Sequence, residues 1–314
     1  MTTDVPWAEA RPGVREERRT MSTKTTAAPA EGVREVPYRL GSLQATGGRE
    51  TTLEIGGRRI GGGAFATIAG PCTVESADQT LSTARIVRDA GVQLFRGGAY
   101  KPRSSPYSFQ GLGQEGLDIL RRAKEETGLP IVTELTDVRD VEAVCEVADV
   151  VQVGARNMQN YPLLTEIGRS GTAALIKRGL AATLKELLMS AEYVLAQGNP
   201  NVILCERGIR TYETSTRFTL DIAAVPVLKG LTHLPVVVDP SHAAGRRDLV
   251  LPLSMAAAAA GADGLIVETH PDPDNAVCDG PQQLRADEFG AYLRQVEAVA
   301  ALAGRVPAPV AVPA

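Results

Sequence analysis

Possible metal ligands stand at the carboxyl ends of predicted strands in this chain. Cys72 follows the apolar run 68–71, His242 ends the run 238–242, and Glu268 ends the run 265–268, with Asp279 soon after. A thiol, an imidazole and two carboxylates form a mixed soft and hard donor set, which suits Mn, Fe, Co or Zn better than Mg or Ca alone. The sequence therefore predicts one divalent metal ion held by these four side chains.

Cations occupy the strand ends that lie between these ligands. The candidates are Arg96, Lys101, Arg156, Lys177 and Arg207. Lys and Arg are seldom placed in the mouth of a barrel unless an anion meets them. Their convergence on one side predicts that a phosphate and a carboxylate are bound there by charge-assisted, partly bidentate hydrogen bonds.

Several other candidates have simpler interpretations. Cys145 and Cys205 are expected to be buried small hydrophobes. His233 precedes the seventh strand and is expected to be structural, at the opposite face of the barrel. His270 falls beyond the ligand of the eighth strand and is not favoured as a ligand. For Asp279, which precedes Gly-Pro, an ordinary helix-capping carboxylate competes with the metal-ligand interpretation.

The scaffold that positions these residues is predicted from hydrophobic periodicity. From about Ala64 the chain alternates short apolar runs with longer amphipathic ones eight times, which predicts a closed (β/α)8 TIM barrel. The runs are rich in Val, Ile and Leu, as strands buried on both faces should be. The predicted strands are Ala64–Gly70, Val92–Gly98, Pro130–Thr136, Val150–Arg156, Ala173–Gly179, Asn201–Gly208, Pro235–Ser241 and Gly264–His270.

One catalytic domain is expected, covering residues 37–303. Within it, Thr52–Ile55 and Arg58–Ile60 flank Gly56-Gly57, which predicts a β-hairpin that plugs the amino-terminal mouth of the barrel. Residues 1–36 and 304–314 are Pro- and Ala-rich without apolar periodicity, so both ends are expected to be disordered. Met21 is an alternative start of the chain.

Composition limits the classes of protein. The 314 residues are 44% hydrophobic and 22% charged, which fits a single barrel with tails. The formal net charge of −4 argues against nucleic acid as a partner. No apolar run is long enough to span a membrane, and no signal peptide precedes the barrel, so a cytoplasmic protein is expected. The four cysteines lack CxxC spacing, which favours reduced thiols.

The chain closely resembles the type I beta 3-deoxy-D-arabino-heptulosonate 7-phosphate (DAHP) synthases. The resemblance runs from about residue 37 to the last helix. The motifs that carry it, in order, are IAGPCTVES (68–76), FRGGAYKPRSSPYSFQG (95–111), VGARN (153–157), IKRG (176–179), ILCERGIR (203–210), VDPSHA (238–243) and VETHPDPDNAVCDG (267–280).

The resemblance implies an activity and assigns the charged residues to it. Members condense phosphoenolpyruvate with erythrose 4-phosphate, which is the first step of the shikimate pathway to the aromatic amino acids. It implies the metal ligands named above, and places phosphoenolpyruvate on the five cations. The resemblance assigns the sugar phosphate to Arg103 and Ser104. At position 104 the family usually has Thr, and Ser keeps the hydroxyl group. Lys101, Glu134 and His242 are implied catalytic groups, and the choice between Lys101 and Glu134 as proton carrier stays open.

The resemblance also implies partners. A homo-oligomer, dimer or tetramer, is expected. Relatives commonly carry a fused regulatory domain ahead of the barrel, whereas residues 1–36 are too short and polar to form one. We therefore expect the chain alone to be insensitive to Phe, Tyr and Trp, with any feedback arriving through a separate protein such as a chorismate mutase.

Two rival functions remain at the level of sequence. The first is 3-deoxy-octulosonate 8-phosphate synthase, which uses the same barrel with arabinose 5-phosphate. Its corresponding loop typically reads Lys-Ala-Asn-Arg-Ser-Ser, one residue longer than Lys-Pro-Arg-Ser at 101–104, so the shorter loop favours the four-carbon aldose. The second is a non-catalytic phosphometabolite-binding barrel, which would be expected to have lost a metal ligand, whereas this chain keeps all four.

Overall fold

The protein is a (β/α)8 barrel in a computed structural model that describes residues 36–103 and 105–307. Within these residues, eight parallel strands form the barrel, and the last strand closes it by pairing with the first. They are β3 (Ala64–Gly70), β4 (Leu94–Arg96), β5 (Ile131–Glu134), β6 (Val150–Val153), β7 (Ala173–Lys177), β8 (Val202–Glu206), β9 (Val236–Val238) and β10 (Gly264–His270).

All eight predicted strands are confirmed, but six are shorter than predicted. The chain leaves the hydrogen-bond ladder early at the carboxyl ends, because residues there turn towards the mouth of the barrel. The clearest case is the fourth barrel strand. It ends at Val153, and Arg156 lies in a short 3-10 helix, Ala155–Asn157, rather than in the predicted strand.

Helices surround the barrel and bury their apolar faces against the strands. Ser76 and Thr183 cap two of them through their side-chain oxygens, as sequence rules predict. The helices are α1 (Ala77–Asp89), α2 (Gln114–Thr127), α3 (Val141–Cys145), α4 (Tyr161–Ser170), α5 (Leu184–Leu195), α6 (Ala224–Leu231), α7 (Pro240–Ala244), α8 (Arg247–Ala259) and α9 (Phe289–Leu302).

The predicted hairpin is confirmed and plugs the amino-terminal end of the barrel. It consists of β1 (Thr52–Ile55) and β2 (Arg58–Gly61), which pair antiparallel. Its turn residues Gly56 and Gly57 have φ values of 53° and 74°, which glycine adopts without strain. Leu53 and Ile60 are buried in one cluster with side chains from inside the barrel. The plug therefore closes the bottom and leaves the carboxyl end open.

Charged residues fix the amino-terminal end. Asp263 is fully buried and accepts hydrogen bonds from Lys229 Nζ and from the backbone N–H of Val236. Arg305 Nη1 lies 2.8 Å from the other oxygen of the Asp263 carboxylate. Burial raises the pKa of this carboxyl group, although the two cations oppose the shift. This network of ion pairs connects the segment that follows α9 to the amino-terminal end of the barrel.

The predicted tails lie mostly outside the described residues. Residues 1–35 and 308–314 are among these, so the disorder expected there stays a prediction. The segment 304–307 differs from that expectation. Residues Val306–Pro307 form a short strand, β12, that pairs with the start of β3. No helix among the described residues is both long and apolar enough to cross a membrane.

Candidate active site

A cavity of about 270 Å³ opens at the carboxyl ends of the strands. Its walls carry every predicted cation of the described residues, together with Glu134. The charged residues that line it are Arg96, Lys101, Arg103, Glu134, Arg156, Lys177, Arg207, Arg217, His242 and Asp279. Ser104, which was predicted to bind the sugar phosphate, lies outside the described residues. The rim thus brings together side chains from the carboxyl ends of seven strands, β4 to β10, and from the loops that follow them.

Three of the cations are buried at the bottom of this cavity. Arg96, Lys177 and Arg207 are 4%, 3% and 6% exposed. Arg96 Nε and Nη1 and Arg207 Nη1 are buried without a hydrogen-bond partner among the described residues. An unpaired buried N–H of a cation is costly, so these donors are expected to meet an anion. Burial lowers the pKa of Arg207, whose guanidinium lies 4.3 Å from the ring centre of Phe218.

The other predicted cations lie nearer the solvent. Arg156 is exposed and Arg103 is half-buried, although both line the cavity. Lys101 lies deeper, with Nζ 2.6 Å from Cys72 Sγ and 3.2 Å from Asp279 Oδ2. The pKa of Lys101 is raised above that of an ordinary lysine. Burial alone would lower this pKa, but the negative charges of the neighbouring groups outweigh burial. Lys101 is therefore an ammonium at neutral pH.

Two groups of possible ligands that share Asp279 lie beside the cavity, one with Cys72 and Cys278 and the other with His242 and Glu268. Cys72 Sγ lies 3.1 Å from Asp279 Oδ2, and His242 Nε2 lies 3.3 Å from Glu268 Oε1. Ligand atoms of His242, Glu268 and Asp279 all lie within 4.8 Å of one another. Asp279 begins a short 3-10 helix, but its side chain makes no capping hydrogen bond, so the capping interpretation finds no support.

The backbone at Asp279 is strained. Its φ of 54° makes it the one non-glycine residue with positive φ in the part of the chain that the structure describes. The loop that carries it is held by Glu75, whose carboxylate accepts from Val277 N–H and lies 3.3 Å from His270 Nε2. Strained residues of this kind persist where the surrounding structure fixes them, and they concentrate at functional sites.

Chemical tests of fit favour a metal ion in this cluster. Glu268 Oε1 is buried and accepts no hydrogen bond of good geometry from the described residues, although Arg96 Nη2 lies 3.1 Å from it. Burial lowers the pKa of His242, while the negative charges of Asp239 and Glu268 oppose the shift. Burial raises the pKa of the Cys72 thiol well above its ordinary value, so metal binding to Cys72 would release a proton. A buried carboxylate oxygen without a hydrogen bond, an imidazole nitrogen and a buried thiol are donors that a divalent transition metal satisfies.

Asp239 connects the metal ligands to the cations. Its Oδ2 accepts hydrogen bonds from His242 Nδ1, at 2.7 Å, and from Lys177 Nζ. Its Oδ1 accepts from the backbone N–H of His242 and so caps α7. Burial opposes ionisation of Asp239, but the adjacent positive charges outweigh it and hold the pKa well below its usual range. Because His242 carries its proton on Nδ1 and donates it to Asp239, the lone pair on Nε2 stays free on the side that faces Glu268.

Some residues of the site were not predicted from the sequence. Gln152 donates from Nε2 to Glu134 Oε2 at 3.0 Å, and Arg217 lines the cavity with Nη1 3.3 Å from Asp279 Oδ1. Cys278 Sγ lies 3.4 Å from Cys72 Sγ. Arg217 is on a long loop with no periodic pattern, and nothing in the sequence indicates which way it points. Cys278 could have been noticed because it directly precedes a predicted ligand.

The remaining histidines lie where the sequence predicted, and so does Cys205, whereas Cys145, predicted to be buried, is only half-buried on α3. Cys205 is fully buried in β8. His233 lies at the amino-terminal end, where its ring nitrogens contact Thr51 Oγ1 and the carbonyl of Leu40, both at 2.7 Å. His270 pairs with Glu75 rather than with the ligand cluster.

Comparison with known proteins identifies the family. The family model described as the DAHP synthetase I family matches residues 45–303. The phospho-2-dehydro-3-deoxyheptonate aldolase of Thermotoga maritima is 49% identical over 264 residues, which are 84% of this chain and 78% of that protein. A 2-dehydro-3-deoxyphosphooctonate aldolase of Syntrophotalea carbinolica is 36% identical over 270 residues, covering 80% of this chain and 96% of the relative.

Solved structures give the same result. A crystal structure of the Thermotoga maritima DAHP synthase matches with a TM-score of 0.84 and 47% identity, covering 87% of this chain and 80% of that one. A truncated form of the Thermotoga maritima enzyme matches with a TM-score of 0.80 and 44% identity, covering 86% of this chain and 99% of that one. The chain belongs to the DAHP synthetase I family.

Proposed function

We propose that this chain condenses phosphoenolpyruvate, erythrose 4-phosphate and water into 3-deoxy-D-arabino-heptulosonate 7-phosphate and phosphate, the first step of the shikimate pathway to the aromatic amino acids. The observation that carries the proposal is the cavity in which unpaired, buried N–H groups of Arg96 and Arg207 lie beside thiol, imidazole and carboxylate side chains that could bind a metal ion. Family membership supports the same reaction.

The cations position the two anionic substrates. Phosphoenolpyruvate is assigned to Arg96, Lys101, Arg156, Lys177 and Arg207. The phosphate of the aldose is assigned to Arg103, which lines the cavity, and to Ser104. Neutralisation lets two like-charged molecules approach to reacting distance, and in favourable cases such positioning contributes on the order of 7–11 kcal/mol.

Cys72, His242, Glu268 and Asp279 are assigned as ligands of one divalent ion, with Mn, Fe, Co or Zn compatible with this donor set. When bound, such an ion supplies Lewis acidity that polarises the aldehyde oxygen and stabilises negative charge on it. Asp239 keeps His242 in the tautomer that a ligand needs.

Proton transfer is assigned to two groups that face the cavity. The enol carbon of phosphoenolpyruvate attacks the aldehyde carbon, water adds to the central carbon, and phosphate leaves. Lys101 is an ammonium between Cys72 and Asp279, so it is placed to give a proton to the oxygen of the aldehyde. Glu134 is held by Gln152 at the other wall and is placed to take the proton of the attacking water.

The choice of aldose is the first test. Purified enzyme should be incubated with phosphoenolpyruvate and either erythrose 4-phosphate or arabinose 5-phosphate, and each product identified by mass spectrometry. We expect kcat/KM to be higher for erythrose 4-phosphate by on the order of 100-fold, the discrimination typical of one additional carbon unit. Preference for the five-carbon aldose would instead indicate 3-deoxy-octulosonate 8-phosphate synthase, and no turnover with either would indicate a binding protein.

The partition of the cations is a second test. Arg103→Met should raise KM for erythrose 4-phosphate by about 10- to 100-fold and leave KM for phosphoenolpyruvate nearly unchanged, because a charge-assisted hydrogen bond contributes roughly 1.5–3 kcal/mol. Arg207→Met should do the reverse. Steady-state rates with one substrate varied at a time measure both constants. Equal effects of the two variants on both constants would contradict the assignment.

Assembly and location complete the proposal. A homo-oligomer, dimer or tetramer, is carried over from the family resemblance. Light scattering measures its mass. The four free cysteines support a cytoplasmic location. A regulatory partner such as a chorismate mutase rests on the family resemblance alone.

A further inference from the structure

Two adjacent glutamines lie behind the proposed metal site. Gln282 and Gln283, here called the glutamine pair, are 2% and 0% exposed. They follow Asp279 on the loop between β10 and α9. A buried amide is costly unless its donor and acceptor are both satisfied. The contacts of the pair therefore indicate what keeps these polar side chains in place.

Gln282 links two segments that carry charged groups of the site. Its Nε2 donates to Glu268 Oε2 at 2.6 Å, and its Oε1 accepts from Arg217 Nη1 at 3.2 Å. Arg217 Nη1 also lies 3.3 Å from Asp279 Oδ1. The amide of Gln282 thus lies between a carboxylate that needs a donor and a guanidinium that needs an acceptor, so its orientation is fixed from both sides.

Gln283 links the other two ligand-bearing segments through backbone atoms. Its Oε1 accepts from the backbone N–H of Cys72 at 3.1 Å, and its Nε2 donates to the carbonyl of Cys278 at 3.0 Å. Cys72 follows β3, whereas Cys278 directly precedes Asp279. Gln283 therefore fixes the distance between the thiol ligand and the loop that carries Asp279.

The contact with Gln282 makes the two oxygens of Glu268 different. Oε2 accepts a short hydrogen bond from an amide, whereas Oε1 is buried without one. Oε1 lies 3.3 Å from His242 Nε2 and 3.1 Å from Arg96 Nη2. The two oxygens of a carboxylate are equivalent by a half-turn, so the amide of Gln282 fixes the plane of the group: it holds one oxygen and directs the other towards His242 and Arg96.

We propose that Gln282 is a positioning residue that holds one oxygen of the Glu268 carboxylate and so directs the other towards the proposed metal site. Arg217 orients Gln282, and Gln283 holds the Cys72 and Asp279 segments together. The inference rests on the proposed function in one respect, namely that the cluster binds a divalent ion. Groups that orient metal ligands from behind commonly change metal affinity by about 10- to 100-fold when they are replaced.

Cobalt binding tests the proposal without relying on turnover. Metal-free protein is titrated with Co²⁺ against a competing chelator, and the visible d–d bands and the thiolate-to-cobalt band are recorded. Gln282→Met, which keeps the length of the side chain and removes the donor, should weaken Co²⁺ binding by about 10- to 100-fold and alter the d–d bands. Gln295→Met on the exposed surface of α9 is the matched control and should bind and absorb like the wild type.

A second variant distinguishes the role of Gln282 as a hydrogen-bond donor from its role in packing. Gln282→Glu conserves shape, but an ionised carboxylate at this position cannot donate to Glu268. It should weaken Co²⁺ binding at least as much as Gln282→Met, and it serves alone if the methionine variant does not fold. Wild-type affinity and wild-type bands in either folded variant would overturn the role of Gln282. Failure of the wild type itself to bind Co²⁺ would contradict the proposed function instead.

Discussion

Treatment of the protein with a strong chelator is expected to lower kcat by about a thousandfold, and added Mn²⁺, Fe²⁺, Co²⁺ or Zn²⁺ should restore it. The physical reason is that a Lewis acid at a developing alkoxide contributes several kcal/mol, and each 1.36 kcal/mol is a factor of ten in rate. Cys72, His242, Glu268 and Asp279 offer one thiol, one imidazole and two carboxylates, and Asp279 lies close both to Cys72 and to the pair His242 and Glu268. Phosphate release from phosphoenolpyruvate measures the rate.

Two single cysteine variants, one at the proposed metal site and one outside it, test the same prediction. Cys72→Ala removes the soft donor and should leave the enzyme inactive at metal concentrations that restore the wild type. Cys145→Ala changes a cysteine of α3 that lies outside the cavity lining and should behave as the wild type does. Full activity of the chelator-treated protein, or of metal-free Cys72→Ala, would remove the metal from the mechanism.

The architecture of the site was predictable because strand ends are readable from sequence. Runs such as 264–267 are apolar and buried on both faces, so the first charged residue after them faces the mouth of the barrel. Arg96, Lys177 and Glu268 lie at such positions, and all three are buried beside the cavity or the ligand cluster. Arg156 shows the limit of the rule, because the strand ends at Val153 and the chain turns before it reaches this arginine.

Contacts between distant segments were not predictable in this way. Gln282 meets Glu268 across 14 residues and Arg217 across 65 residues of sequence. A local period of two or 3.6 residues fixes which face of an element is buried, but it does not say which side chain of another loop will lie opposite. A buried glutamine leaves no pattern of its own, since its role is set by partners that only the closed barrel brings together.

Asp239→Asn is expected to impair both the cation cluster, through Lys177, and the proposed metal site, through His242. Asparagine keeps the cap of α7 through its oxygen, but it then places an amide NH₂ where Oδ2 accepts from Lys177 and His242. His242 would have to protonate Nε2 instead of Nδ1, so the nitrogen that faces Glu268 would no longer be free. In other enzymes, such a change of tautomer lowers kcat by up to about 10⁴-fold.

Loss of the negative charge also leaves the ammonium of Lys177 buried without its partner. Breaking a buried ion pair in this way costs about 3–5 kcal/mol of unfolding free energy. Asp239→Asn should therefore lower both kcat and the melting temperature, and it should weaken Co²⁺ binding by about 10- to 100-fold because Asp239 orients a ligand. Steady-state kinetics, calorimetry and the cobalt titration measure the three quantities.

Asp263→Asn separates the catalytic effect from the stability effect. Asp263 is as buried as Asp239 and also pairs with cations, Lys229 and Arg305, but it lies at the amino-terminal end of the barrel. We expect Asp263→Asn to lower the melting temperature comparably while kcat and Co²⁺ affinity stay near those of the wild type. If Asp263→Asn lost as much activity as Asp239→Asn, the loss would follow from weakened folding. A selective loss in Asp239→Asn would support the proposal that this carboxylate couples Lys177, assigned to phosphoenolpyruvate, to His242, assigned to the metal ion.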